Sequence, residues 1–149
     1  MASFKDNLAE DVTLEGAAMN GVLRGRDAVL AQLAVVSAFY DDRVDEFSFD
    51  HGDYHVEEYS AVVAGRPVKA TATMRRNAEG KIDRVVVNHR PLSAALTFSR
   101  LIAESPIGAE WDANRFYRPE GQTYQDLLDY ADGQADSQAD GQNASGTDA

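Results

Sequence analysis

The sequence predicts an α+β domain in which helices pack on a curved, mostly antiparallel sheet. Three observations carry this. The stretch Val68–Arg90 reads as one long hairpin: Val68, Ala70, Ala72 and Met74 alternate with Lys69, Thr71, Thr73 and Arg75, and a β-branched run follows from Ile82. Two further stretches carry helical periodicity, Val29, Leu33, Val36 and Tyr40 before the hairpin and Leu92, Ala95, Leu96, Ser99 and Ile102 after it. Between and before them lie short alternating segments, so the order is strand–strand–helix–strand–strand–strand–strand–helix.

Taken in order, Ser3 and Asp6 form an S-x-x-D box that predicts a short opening helix over Phe4–Ala9. Asp11–Gly16 alternates Val12 and Leu14 with Thr13 and Glu15, a strand. Asn20-Gly21 is a hairpin-turn dipeptide, with Val22–Arg24 as the return. Gly25-Arg26-Asp27 opens the first helix, where an acid in the first turn suits the helix dipole, and Asp41-Asp42 closes it. Val44–Phe49 and Tyr54–Ala64 are strands around His51-Gly52-Asp53, and Gly65-Arg66-Pro67 turns the chain into the hairpin. Its turn is Asn77–Lys81, with Gly80 free to take a positive φ. Pro91 cannot donate to a sheet ladder but suits a first helical turn, so it ends the strand Ile82–Arg90 and opens a helix ending near Glu104. Trp111–Pro119 is irregular and aromatic, and Thr123 with Asp126 caps a two-turn stripe of Tyr124, Leu127, Leu128 and Ala131.

The 149 residues have room for one core. The expected organisation is one domain over 1–132, with 111–132 docking on it as a C-terminal extension. From Gly133 the Gln-, Ala-, Asp- and Gly-rich chain has nothing to bury, so 133–149 is expected to be a disordered acidic tail. Net charge is −11; seven acids and no Lys or Arg follow Arg118, leaving 18 of the 25 acids against all 14 basic residues in the body. Such a surface repels phosphate backbones, so no nucleic-acid partner is expected. Cysteine is absent, which removes disulfides and thiolate chemistry. No apolar run approaches 18 residues, and Met1–Glu10 lacks a signal-peptide pattern, so the expectation is a cytoplasmic protein with no membrane partner.

In order and spacing, DVTLEG, LRGRDAVLAQL, AGRPV, NAEGKIDRVVV and RPLSAALTF resemble the nuclear-transport-factor-2-like superfamily, in its SnoaL-like (polyketide-cyclase-like) branch. The resemblance covers roughly Leu8–Ile102. It implies a cone-shaped domain, often a homodimer, whose sheet and helices enclose an apolar pocket. It also implies a longer N-terminal helix roofing the cone; here the first strand begins too early, so Trp111–Asp132 either covers that end or leaves it open. Two chemistries known in the superfamily lack their carboxylates in this chain. The ketosteroid-isomerase-like positions hold Gly16 and Ala72, and the limonene-epoxide-hydrolase-like position holds Val87.

If Ala72 and Val87 face the pocket, alternation brings Ala70, Met74, Val85 and His89 to the same side. These six are the candidate ligand-binding residues, an apolar wall with one titratable group, and the bland alternative is that they are simply core. Catalytic candidates are His89, whose ordinary pKa lies near neutrality, and His55, Glu57 and Tyr59, which share one face of the strand Tyr54–Ala64. Parity does not tell whether that face points in or out, since one bulge reverses it. His51, Asp53 and His55 have an H-x-D-x-H spacing, but it runs through Gly52 at a turn with no fourth ligand, so no metal and no cofactor are expected. The expected function is binding of a small apolar molecule, dimerisation, or both, with no recognisable catalytic set. The alternative is a cyclase or isomerase using acid–base chemistry on a polyketide-like or steroid-like substrate.

Overall fold

The computed structural model describes residues 4–143, with side chains described as far as Gly133. One six-stranded sheet runs β2-β1-β6-β5-β4-β3, with β1 Leu8–Gly16, β2 Leu23–Arg24, β3 Asp41–His51, β4 Tyr54–Val63, β5 Arg66–Arg76 and β6 Ile82–Arg90. All neighbours are antiparallel except β1 and β6, which are parallel. Helices α1, Arg26–Ser37, and α2, Leu92–Glu104, pack on the sheet, and α3, Tyr124–Asn143, follows a loop. The predicted α+β class, a curved and mostly antiparallel sheet with packed helices, is the architecture observed. Among the described residues no helix is long and apolar enough to cross a membrane.

The β5–β6 hairpin forms as its alternation predicts. Asn77 Oδ1 accepts from the Glu79 and Lys81 amides, and Gly80 takes the left-handed φ of 75° that the turn requires. Several boundaries differ from expectation. The opening helix shrinks to a 3-10 turn over Phe4–Asn7, and β1 starts at Leu8 rather than Asp11. A bulge between Leu8 and Thr13 lets the adjacent Leu8 and Ala9 both be buried, which hides that part of the strand from a period-2 reading. In α2 the expected Ala95, Ser99 and Ile102 are buried, but Phe98 is inside with them, whereas Leu92 and Leu96, at 75% and 37% exposure, are not. The aromatic ring wins because it stacks on His89 at 4.1 Å and meets Phe39 edge-on at 5.7 Å. Tyr40 lies beyond the end of α1, not on it.

Two large clusters make up the core. One joins α1 (Val29, Leu33) to β1, Met74, Ile82 and Val85. The other joins α2 (Phe98, Ile102) to Ala61, Val63, Val68 and the fully buried Phe116. The Thr123–Asp126 box caps α3 as read: the Thr123 amide donates to Asp126 Oδ2 and the Asp126 amide to Thr123 Oγ1. Tyr124, part of the segment expected to dock, is instead 75% exposed, although the same turn of α3 touches the body where Asn20 Nδ2 donates to the Leu127 carbonyl at 3.5 Å. The helical backbone of α3 runs to Asn143, while the sequence from Gly133 onward keeps the composition of an unstructured acidic tail. Residues 144–149 of the expected tail lie outside the described residues.

Candidate functional site

Sheet register arranges the helix-covered face into three rows of side chains. Leu14, Val85, Met74 and His55 form the first, Gly16, Val87, Ala72 and Glu57 the second, and His89, Ala70 and Tyr59 the third. The face left ambiguous by parity, His55, Glu57 and Tyr59, therefore points the same way as Val85, Val87 and His89. Small residues sit in the middle of the rows, so space is left above them. Gly16 is required for another reason: a Cβ there would overlap the Val87 carbonyl oxygen, so only glycine allows β1 to approach β6 this closely.

Above the rows lies a cavity of about 320 Å³, roofed by α1 and α2. Of the six expected ligand-binding residues, Ala72, Met74, Val85, Val87 and His89 line it. Ala70 does not; it is fully buried in a cluster with Tyr59 and Ala72, beneath the wall. Of the catalytic candidates, Glu57, Tyr59 and His89 line the cavity. His55 lies off its edge, because Nδ1 bonds Asp50 Oδ1 at 3.2 Å while Nε2 stands 3.8 Å from Glu57. His51 and Asp53 join no cluster: among the described residues no group of three His, Cys, Asp or Glu side chains is placed to hold a metal.

At one end of the cavity is a buried polar chain. His89 Nε2 is 2.6 Å from Tyr40 Oη, which is 3.0 Å from Tyr59 Oη. The rings close around Phe98, 5.2 Å from Tyr40 and 4.1 Å from His89. Burial lowers the His89 pKa to about 4, because the charged form would lose its hydration, so the ring is neutral at physiological pH. Its Nδ1 is buried and has no protein partner. Burial raises both phenols, and Tyr40 is raised further by its neighbour Tyr59. For Tyr59 the trend is opposed by its bond to Tyr40 and by the Arg43 guanidinium, which lies 3.8 Å over its ring. Of the two, Tyr59 is the hydroxyl better able to share negative charge.

Beside this chain Arg43 Nη2 reaches Glu57 Oε1 at 3.4 Å, while Arg43 Nε holds Asp45 at 3.0 Å. Glu57 is the only carboxylate in the Gly16–Val87–Ala72–Glu57 row. The three positions where the resemblance implies acids are thus its apolar neighbours, and the row's one acid sits on the next strand out.

Sequence reasoning missed Arg43, Gln32 and Phe98 as cavity residues and took Tyr40 for helix stripe. Gln32 left a readable signal: it is i+3 from Val29 and i−4 from Val36, a polar residue within an apolar stripe. Arg43 left none, since its partners Glu57 and Tyr59 arrive through strand pairing.

No family model and no curated protein matches the chain. Solved structures do. A steroid delta-isomerase from Pseudomonas aeruginosa shares 21% identity at a TM-score of 0.62, covering 71% of this chain and 75% of its own. An uncharacterised protein with a cystatin-like fold from Silicibacter pomeroyi shares 19% at 0.63, covering 87% and 81%. A nuclear-transport-factor-2-like protein of unknown function from Burkholderia xenovorans shares 17% at 0.50, covering 57% and 66%. At these identities the likeness is one of fold, and the fold is nuclear-transport-factor-2-like.

Proposed function

We propose that the cavity binds a small, mostly apolar molecule through one oxygen atom, which accepts a hydrogen bond from Tyr59. The observation that carries this is the buried Tyr59–Tyr40–His89 chain ending on the cavity wall beside the apolar Ala72, Val85, Val87 and Phe98. Neutral His89 has one N–H. On Nδ1 that proton would be a buried donor without a partner, the rarer and costlier kind of orphan. On Nε2 it donates to Tyr40, Tyr40 donates to Tyr59, and the free proton at the end belongs to Tyr59. Arg43 over the ring favours an electron-rich acceptor such as a ketone oxygen. His89 then orients the chain rather than exchanging protons with the ligand.

A second reading has one observation in its favour. The Glu57 carboxylate lines the same wall two residues from Tyr59, held by Arg43. With the ligand's carbonyl oxygen on Tyr59, Glu57 could take a proton from the carbon beside that carbonyl while Tyr59 stabilises the enolate oxygen, and then return it.

One experiment addresses both. Titration with p-acetylbiphenyl, an apolar ketone, should show binding that weakens about fivefold in Tyr59→Phe, the worth of one hydrogen bond of about 1 kcal/mol. Equal binding by both proteins, or none by the wild type, would overturn the first reading. In deuterated buffer, exchange of the acetyl protons that is enzyme-dependent and lost in Glu57→Gln establishes the second; background exchange alone removes it.

A further inference from the structure

Among the polar groups lining the cavity that the Tyr59 chain does not use, one is buried without full partners. Gln32 projects from α1 into the cavity wall and is only 4% exposed. Its Nε2 has one contact, a 3.8 Å approach to the thioether of Met19, which is a weak acceptor. Its Oε1 is buried with no protein partner. A buried amide left half-satisfied weakens the fold, and an apolar side chain of the same length would avoid that cost. Its neighbours on the helix show what the fold alone asks for here: Val29, Leu33 and Val36 pack on the sheet without any polar atom.

Gln32 and Tyr59 also stand at different ends. The helix advances ~1.5 Å per residue, so Gln32 lies about 8 Å before the end of α1, and Tyr40, which reaches Tyr59, lies beyond that end. The wall between them carries the apolar Val36, Val85, Val87 and Met74, with the Glu57 carboxylate on β4 at its side.

Resting on the reading that Tyr59 receives a ligand oxygen, we infer that Gln32 receives a second polar group of the same ligand. The site would then select an elongated, apolar molecule with a carbonyl at one end and a hydroxyl at the other. A hydroxyl fits because it both donates and accepts, so it satisfies the amide whichever way round the oxygen and nitrogen lie. Gln32 acts here as a specificity-determining residue.

The test compares p-acetylbiphenyl with p-acetyl-p′-hydroxybiphenyl, titrated into the full chain. Wild type should bind the hydroxylated probe about fivefold more tightly, one additional hydrogen bond. In Gln32→Met, which keeps the length and loses the amide, that preference should fall below about twofold while p-acetylbiphenyl binds as before. Tyr59→Phe should weaken both probes alike and keep the preference. A preference that survives in Gln32→Met overturns the Gln32 assignment and leaves the Tyr59 reading standing; failure of both probes to bind wild type overturns both. A ligand-free arm guards against a purely structural role. Gln32→Met should melt within about 2 °C of wild type or above it, and a loss of about 5 °C or more would show that the amide holds the fold together and end the proposal.

Discussion

Phe116 offers the sharpest test of how the segment after α2 joins the domain. Its ring is fully buried among Ala18, Val63, Val68, Phe98 and Ile102, residues contributed by β4, β5, α2 and the β1–β2 turn. Backbone bonds hold it from both sides: the Asn20 amide donates to the Arg115 carbonyl at 2.7 Å, and the Tyr117 amide to Ser99 Oγ at 2.7 Å. Gln122 Nε2 closes over the Phe116 carbonyl at 3.2 Å. With neighbours tied in place, a cavity left by Phe116→Ala cannot collapse, so the cost should fall in the range of about 3–5 kcal/mol. At roughly 3 °C per kcal/mol for a chain of this size, the melting point should drop by on the order of 10 °C. Thermal unfolding followed by circular dichroism measures this, and urea unfolding gives the free energy independently. Tyr124→Ala is the control, because a side chain 75% exposed should cost no more than about 0.5 kcal/mol. A Phe116→Ala loss below about 1 kcal/mol would mean that residues 111–119 do not hold their place against the sheet, and the second core cluster would have to be redrawn.

Two further outcomes are expected. His89 should make stability fall as the solution is acidified: the unfolded chain takes up its proton near the usual 6.5, the folded one only near about 4, so between those values the unfolded state binds more protons. The difference across the window is about 3 kcal/mol; urea midpoints at pH 7 and pH 4.5 should diverge less in His89→Gln than in wild type, and equal divergence would refute a buried neutral ring. The expected homodimer should use the outer face of β3, where Phe47 and Phe49 stack at 6.3 Å and stand half exposed beside Val44. Neighbouring charges there are paired within the chain, Arg90 with Glu58 and Lys69 with Glu46, so that face brings little unpaired charge against a second copy. Sedimentation should show a dimer in wild type and a monomer in Phe47→Ser/Phe49→Ser; a wild-type monomer, or an unaffected dimer, refutes this.

What could be read from the sequence was set by how local the cause was. Strand β6 was legible in full because its β-branched run is bounded by a turn and by Pro91, and the inward set Val85, Val87 and His89 follows from period two alone. The start of β1 was not, because the bulge before Thr13 breaks that period. The buried face of α2 was read correctly at Ala95, Ser99 and Ile102 but not at its edges, because hydropathy counts Leu92 and Leu96 equally with Phe98, while only Phe98 has rings to stack on. In the site, Glu57 and Tyr59 were legible as a pair but not their direction, which depends on register with β5. Tyr40 and Arg43 gain their roles only through side chains that arrive from β4 and β6.

The same accounting bears on whether this cavity is merely imperfect packing. A structural domain under no other demand would fill the space with aliphatic side chains, as it does around Val29 and Leu33. Instead the wall keeps His89 with an orphaned Nδ1 and Gln32 with an orphaned Oε1, each at a cost of about 1–3 kcal/mol. It also keeps two buried phenols in series and a guanidinium laid over one of them. A small residue, Ala72, holds the middle open where a larger one would close it. The aromatic rings of that set also pack on Phe98, but the orphaned polar atoms add nothing to folding. On the proposed reading that cost belongs to binding, and specificity would rest with Tyr59 and Gln32 rather than with the carboxylate positions that Gly16, Ala72 and Val87 leave apolar.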